Sequence, residues 1–207
     1  TRLQGDWSSD VCSSDLQALN ESTAALQKFM PWAHIPQTLE GQVKRIRAAL
    51  SANAEGTDFS FGFFEGSRFV AGCGLHPRVA LNPNGTEIGF WTRSSASGRG
   101  LATLMTQLLV VYALEGLAMD RIQIAHNPGN TASQRVVEKC GFVFEGVVRN
   151  ETGPVDQAAV SAGLSPCRDV KMYSLLPDEA RALPWYRAVA ARVRVFDQVG
   201  NDLGSIF

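Results

Sequence analysis

The sequence has little net charge, few cysteines and no long apolar run. Its formal net charge is −1 over 207 residues, so the composition gives no indication of nucleic-acid or membrane-surface binding. The longest apolar run, around 108–113, is too short to span a bilayer. We therefore expect neither a nucleic acid nor a membrane among the partners.

The cysteines form no CxxC pair and have no spacing to the three histidines that is typical of a metal site. They are Cys12, Cys73, Cys140 and Cys167. We expect no metal ion, a reducing cytoplasmic location, and buried apolar positions for Cys73 and Cys140. The apolar content of 45% is ordinary, and the length suits one domain with its own core.

The beginning of the chain has no clear helix or strand pattern. Residues 7–16 repeat Ser-Ser-Asp at a short period, which resembles translated sequencing-adaptor sequence, and the alternative is a flexible polar leader. We interpret residues 1–16 as a non-native leader, in which case a native first strand is missing. Residues 17–176 are expected to form the folded domain and residues 177–207 a C-terminal extension.

The first half of the domain reads as two helices and an antiparallel meander. Helical spacing runs from Leu16 to Met30, and a second helix follows Thr38 as N-cap, with a loop at 51–57. Strands are expected at 59–64, 68–75 and 86–92. Asn-Gly at positions 84 and 85 predicts a type I′ turn before the third strand.

The second half alternates helices and strands. Apolar periodicity predicts helices at 101–114 and 130–140, each ended by glycine, and strands at 121–125 and 142–148. A strand at 170–176 is expected to close the sheet. The tail reads as a helix broken at Pro184.

Gly98 and Gly100 flank Arg99 immediately before the third helix. Backbone N–H groups at such a turn can converge on a phosphate, aided by the positive end of the helix dipole, and glycine leaves room for the ligand. A tight strand-to-helix turn without a ligand is the alternative. The Gly-Lys-Ser/Thr of a P-loop and the third glycine of a dinucleotide fingerprint are both absent.

Three segments in order resemble the GNAT N-acetyltransferase superfamily, RimJ/RimL-like branch. Residues 97–102 are similar to its Q/R-x-x-G-x-G/A motif, residues 130–142 to its N-x-x-S…E-K-x-G-F segment, and residues 145–150 and 168–175 to its last two strands. Ser97 departs from the Gln or Arg of the motif. The resemblance implies an α+β fold with a central, mostly antiparallel twisted sheet that splays to form a CoA cleft and is flanked by helices.

The resemblance also implies acetyl-CoA as cosubstrate and places its parts. The pyrophosphate is expected on the amides of the glycine turn, which are those of Gly98, Arg99, Gly100, Leu101 and Ala102. The pantetheine arm is expected along Phe90, Trp91 and Thr92. The thioester is expected near Asn130 and Ser133.

Transfer to an amine requires a proton acceptor, because amines are protonated at neutral pH. Glu87 resembles the glutamate base of histone-type members, although a strand-edge carboxylate facing water is the alternative. His126 is the second candidate and Asp169 the third. Ser133 is a candidate acid for the leaving thiolate or a first-turn hydroxyl, and Asn130 also suits a helix N-cap.

Trp32 and His34 are expected to line the acceptor side, or else to belong to the core. The whole pattern predicts an acetyl-CoA-dependent N-acetyltransferase that acts on a protein N-terminal α-amine or a small-molecule amine, as a monomer or homodimer. A non-catalytic acyl-CoA-binding regulatory domain of the same fold is the alternative. A nucleotide at the glycine turn is a third interpretation.

Overall fold

The computed structural model describes residues 2–4, 9–77, 82–152, 156–196 and 202–205. The α-helices in these ranges are α1 Ser9–Leu26, α2 Leu39–Glu55, α3 Leu101–Val111, α4 Thr131–Lys139, α5 Gln157–Ser161, α6 Pro177–Ala182 and α7 Tyr186–Ala190. The strands are β1 Arg2–Gln4, β2 Phe59–Glu65, β3 Arg68–Pro77, β4 Gly85–Thr92, β5 Arg121–His126, β6 Val143–Val148, β7 Val170–Leu175, β8 Arg194–Phe196 and β9 Asp202–Ser205. Short 3-10 helices occupy Pro31–His34 and Ser94–Ala96, and a π-helical turn occupies Tyr112–Gly116.

The main sheet has the strand order β1-β2-β3-β4-β5-β7-β6. Every neighbouring pair is antiparallel except β4 and β5, which are parallel. This confirms the predicted α+β class and the mostly antiparallel sheet. None of the helices in the described ranges is long and apolar enough to cross a membrane.

Strands β4 and β5 separate part-way along their length. They pair at Gly85↔Arg121, Thr86↔Ile122 and Glu87↔Gln123 and then stop. Beyond that point β4 stays bonded to β3 as far as Thr92, and β5 stays bonded to β7 as far as His126. Each strand is therefore held on its outer side, while the facing edges open into a wedge whose backbone groups can pair with a ligand.

Alternation along the strands assigns the side chains at this wedge to two faces of the sheet. Ile88, Ile122 and Ile124 point into the main core, which includes Met105 and Leu109 of α3. Glu87, Gly89 and Trp91 point to the opposite face, where Trp91 packs against Ala18 of α1. The helix pair α1–α2 and the helix pair α3–α4 therefore approach the wedge from opposite faces.

Two predicted boundaries near the N-terminus are wrong. Helix α1 begins at Ser9 rather than near Leu16, and α2 continues to Glu55 through the predicted loop. Ser14 accepts a hydrogen bond from the Phe69 backbone N–H at 2.9 Å, and buried Asp15 forms an ion pair with Arg45. A local sequence pattern does not indicate such tertiary contacts. The helix does not test whether residues 1–16 are native, so that interpretation stays a prediction.

The predicted turn before β4 is present, but it is not a type I′ turn. Gly85 N–H donates to the Asn82 carbonyl at 3.0 Å, so the central residues are Pro83 and Asn84. Proline fixes a negative φ, and Asn84 has no positive φ either. The strand predicted at 170–176 is present as β7, which lies between β5 and β6. The predicted break at Pro184 is confirmed between α6 and α7.

Candidate functional site

The turn before α3 has open space around its two glycines. Gly98 and Gly100 have φ values of 76° and 82°, which favour glycine, and a Cβ built on either meets nothing within 4 Å. Gly100 is the N-cap and offers no capping side chain. The first helical bond runs from Leu104 N–H to the Gly100 carbonyl at 3.0 Å, so the preceding amides of α3 have no acceptor within the helix. This geometry suits a phosphate group.

The side chains of this turn point elsewhere. Arg99 donates to both carboxylate oxygens of Glu65, at 3.0 and 2.6 Å. The Ser97 hydroxyl donates to the Arg93 carbonyl at 3.2 Å. The residue that departs from the family motif is thus bonded to its own loop, and the backbone is what remains available to an anion.

The wedge between β4 and β5 opens into a cleft of about 920 Å³, here called the main cleft. Phe90, Asn130 and Ser133 of the predicted cofactor set line it. Asn130 caps α4 as predicted, because its Oδ1 accepts from Ser133 N–H at 3.1 Å. The cap fixes the start of α4 at the end of β5, which is where the wedge is widest.

A second, smaller space of about 230 Å³, the side cavity, lies against α1 and α2. Trp91 lines it, with its indole so close to Gly72 that a Cβ there would clash. Trp32 and Phe90 line both spaces, and Trp32 is 39% exposed. His34 lines the main cleft, and its Nε2 donates to the Gln27 carbonyl at 2.9 Å. The structure therefore brings both predicted acceptor-side residues to the cleft, whereas Thr92 lines neither space.

The three candidate proton acceptors all line the main cleft, in different settings. Glu87 is partly buried, and its Oε2 accepts from Gln123 Nε2 at 2.9 Å. Asp169 Oδ1 accepts from Asn150 N–H at 2.9 Å. Glu87 lies on the face of the sheet that α1 and α2 cover.

His126 lies on the other face and is 6% exposed. Its Nδ1 donates to the Asn127 carbonyl at 2.9 Å, because a carbonyl can only accept. Its Nε2 is then an acceptor, and it is buried without a hydrogen-bond partner in the described part of the chain. Burial lowers the pKa of His126, which keeps the imidazole neutral.

A further pair of residues, which the sequence pattern did not indicate, lies on the face of the sheet that α1 and α2 cover. His76 Nδ1 lies 2.8 Å from Asp58 Oδ2, and His76 lines both the main cleft and the side cavity. A Cβ at Gly74 or Gly89 would lie within 3.0 Å of the His76 ring, so the two glycines make room for the imidazole. His76 is also the cross-strand partner of Glu87. The sequence pattern that could have indicated this arrangement is the pair of glycines at alternate positions 72 and 74 of β3, because a Cβ at either would meet an aromatic ring.

The buried cysteines have the environment that was predicted for them. Burial raises the pKa of both Cys73 and Cys140 to about 12, so neither thiol ionises near neutral pH. With Cys12 replaced by serine, we expect a brief treatment with iodoacetamide at pH 8 to label the exposed Cys167 and to spare these two. Mass spectrometry of the peptides checks this, and rapid labelling of Cys140 in the folded protein would contradict it.

Three features lie together at this site. They are an uncapped start of α3, two glycines with positive φ before it, and a parallel strand pair that splays. The family model described as an acetyltransferase (GNAT) domain matches residues 9–143. The chain belongs to this family. The resemblance to the GNAT superfamily is thereby confirmed.

Curated relatives cover parts of the chain. The probable N-acetyltransferase YjcK of Bacillus subtilis (strain 168) is 32% identical over 114 residues, which cover 54% of this chain and 63% of that protein. The putative ribosomal N-acetyltransferase YdaF of the same strain is 38% identical over 64 residues, which cover 31% and 35%. The ribosomal-protein-serine acetyltransferase of Escherichia coli (strain K12) is 23% identical over 133 residues, which cover 64% and 74%. The chain thus spans less than two thirds of the first two relatives.

Solved structures show the same fold. Mycobacterium smegmatis RimJ in complex with CoA-disulfide has a TM-score of 0.76 at 18% identity, covering 92% of this chain and 91% of that one. RimL, a ribosomal L7/L12 alpha-N-protein acetyltransferase in complex with coenzyme A, has a TM-score of 0.73 at 19% identity, covering 86% and 94%. At these identities the likeness concerns the fold alone.

Proposed function

We propose that the protein is an N-acetyltransferase that uses acetyl-CoA to acetylate a primary amine by direct attack, with a protein N-terminal α-amine as the acceptor. The observation that carries the proposal is the splayed β4–β5 pair between an uncapped α3 and a capped α4 in a chain of the acetyltransferase family. The names of the ribosomal N-acetyltransferase relatives support the choice of acceptor. A cytoplasmic location and a monomer or homodimer stay predictions.

The residues at hand fit the parts of acetyl-CoA. The amides from Gly98 to Ala102 would hold the pyrophosphate, and the unpaired edge of Phe90–Thr92 would pair with the pantetheine amides. Asn130 and Ser133 would flank the sulfur at the start of α4. The thioester supplies the acyl group, and the chain supplies position and proton transfer.

Glu87 is proposed to accept the proton of the acceptor ammonium, which frees the nitrogen lone pair for attack. Its side chain is on the same face of the sheet as Trp91 and the α1–α2 helices, where Trp32 stands. His126 is on the α3–α4 face, which suits the cofactor side rather than the acceptor side. Ser133 is proposed to donate its hydroxyl proton to the departing thiolate.

The His76–Asp58 pair is proposed to take the proton onward. His76 Nδ1–H is held by the Asp58 carboxylate, which leaves Nε2 as an acceptor beside Glu87. Asp58 contacts His76 directly, Glu87 is its cross-strand partner, and the Asp15–Arg45 ion pair lines the side cavity with it.

Replacing His76 by asparagine is expected to lower kcat/KM at neutral pH by about tenfold, because general acid–base groups contribute at least that much. The loss should shrink as the pH rises, since more acceptor is then already deprotonated. Asp58→Asn should act in the same direction. A pH–rate profile of each variant checks this, and profiles that superimpose on that of the unaltered protein would reduce the pair to a surface ion pair.

An assay of thiol release from acetyl-CoA with a panel of peptides and small amines tests the proposed function. We expect amine-dependent release. Tight CoA binding with no release for any amine would favour a regulatory domain, which is the alternative. Protection against heat by ATP or NAD, at concentrations where CoA gives none, would instead place a nucleotide at the glycine turn.

A further inference from the structure

The glycine turn is preceded by a short helical turn that is anchored in the core. Strand β4 ends at Thr92, α3 begins at Leu101, and one turn of 3-10 helix at Ser94–Ala96 lies between them. Ala96 is fully buried in the main core, two positions before Gly98. Because glycine has a wide range of backbone conformations, a turn with two glycines needs support from its flanks to keep one conformation.

The 3-10 turn cannot satisfy its own first amides. Its first hydrogen bond runs from Ala96 N–H to the Arg93 carbonyl at 2.9 Å. The N–H groups of Ser94 and Ser95 come before this bond and have no acceptor inside the turn. Arg93, at the N-cap, makes no capping bond through its side chain within the described structure. The acceptors for these two amides must therefore come from another element.

Helix α1 provides both acceptors. Ser94 N–H donates to Ser22 Oγ at 3.0 Å. Ser95 N–H donates to Glu21 Oε1 at 2.8 Å. The partners are 72 and 74 positions apart in sequence, so two adjacent residues of α1 cap the 3-10 turn through the tertiary structure.

The second oxygen of Glu21 extends this contact to Arg93. Arg93 Nε donates to Glu21 Oε2 at 2.6 Å. Arg93 N–H donates to the Val70 carbonyl of β3 at 2.8 Å, and the Arg93 carbonyl accepts from the Ser97 hydroxyl at 3.2 Å. One carboxylate thus joins α1 to the segment that leads from β4 into the glycine turn.

The Glu21 carboxylate stays charged in this network. Hydrogen bonds from Ser95 and the ion pair with Arg93 lower the pKa of Glu21 to about 2, so it is ionised throughout the pH range of an enzyme assay. The side chains of Arg93 and Glu21 are 12% and 31% exposed, so water screens this pair less than a fully exposed one. Charge-assisted hydrogen bonds of this kind are stronger than neutral ones.

We propose that Glu21 and Ser22 are positioning residues for acetyl-CoA, which hold the Ser94–Ala96 turn and thereby keep the amides of the glycine turn in place for the pyrophosphate. This inference rests on the proposed function, because it assumes that the glycine turn receives acetyl-CoA. Neither residue has to touch the cofactor, since a turn that is already fixed loses less conformational entropy when the phosphates bind. The contribution is therefore expected in cofactor affinity and not in the chemical step.

The test compares two acetyl donors with the full chain. S-acetylpantetheine carries the same thioester as acetyl-CoA but lacks the pyrophosphate and the nucleotide. We expect Glu21→Ala to weaken CoA binding about tenfold in isothermal titration calorimetry and to raise the KM for acetyl-CoA by a similar factor. The KM for the acceptor and the kcat/KM for S-acetylpantetheine should not change. Equal losses with both donors would show a general effect on stability and would overturn the inference.

Milder variants and a matched control accompany this change. Glu21→Gln keeps an acceptor for Ser95 N–H but removes the charge, and Ser22→Ala removes the other acceptor. Each should weaken CoA binding about threefold, and these two variants decide the question if Glu21→Ala does not fold. The control is Glu145→Gln on β6, since Glu145 also accepts from an arginine and a serine and its pKa is likewise lowered to about 2. We expect the control to bind CoA normally.

Binding and transfer together separate this inference from the proposed function. Weaker CoA binding by the Glu21 and Ser22 variants, without acetyl transfer to any amine by the unaltered protein, would support the positioning role and contradict the proposed function. Unchanged CoA binding by the folded variants, with transfer by the unaltered protein, would overturn the inference and leave the proposed function standing.

Discussion

Replacing Gly100 by valine is expected to weaken acetyl-CoA binding by about 100-fold, the effect of losing two charge-assisted hydrogen bonds. Gly100 has a φ of 82° and ends the glycine turn, and a Cβ built on it meets nothing within 4 Å. A β-branched residue disfavours that backbone conformation, and its side chain would stand where the phosphate approaches. Isothermal titration calorimetry with acetyl-CoA measures the change directly.

The matched control for this change is Gly56→Val. Gly56 has a φ of 69° at the end of α2, and a Cβ there also meets nothing within 4 Å. It carries the same kind of backbone strain, but it lies at the end of α2 and not at the start of α3. We expect this control to bind acetyl-CoA normally, and normal binding by a folded Gly100→Val variant would refute the phosphate cradle.

Replacing Glu87 by glutamine is expected to lower kcat/KM by about 100-fold at neutral pH, within the range known for loss of a general base. The amide oxygen of glutamine can still accept from Gln123 Nε2, so the substitution removes the charge while keeping the hydrogen bond at 2.9 Å. The loss should diminish at high pH, where the acceptor amine no longer needs a base. Initial rates across a pH series measure both effects.

Glu55→Gln, at an exposed carboxylate near the end of α2, is the control for the change in charge. Its pH–rate profile should match that of the unaltered protein. If the Glu87→Gln profile matched as well, Glu87 would be removed as the proton acceptor. His126→Gln would then be the informative variant, because His126 Nε2 is a buried acceptor without a partner among the described residues.

The parts of the site that could be predicted are those set by local chemistry. The glycine turn needs positive φ at Gly98 and Gly100, and glycine is the residue that adopts it without strain. Asn130 caps α4 through a bond to the amide three residues on, which a sequence pattern reveals directly. Gly141, with a φ of 79°, ends the same helix as predicted.

The parts that could not be predicted depend on residues that are distant in sequence. His76 and Asp58 are 18 positions apart and meet because β2 and β3 pair in a particular register. Strand β7 inserts between β5 and β6, which no periodicity indicates. The prediction of a type I′ turn was wrong for a local reason. Pro83 occupies a central position, so the turn is centred one residue earlier than predicted.

The central claim is that this chain transfers an acetyl group from acetyl-CoA directly to an amine. The most direct measurement counts the CoA thiol released and the acetylated acceptor formed, by mass spectrometry, in the same reaction. We predict equal amounts of the two products, and no CoA release when the acceptor is left out. CoA release that proceeds without an acceptor, or an acetylated cysteine that accumulates on the protein, would contradict direct transfer.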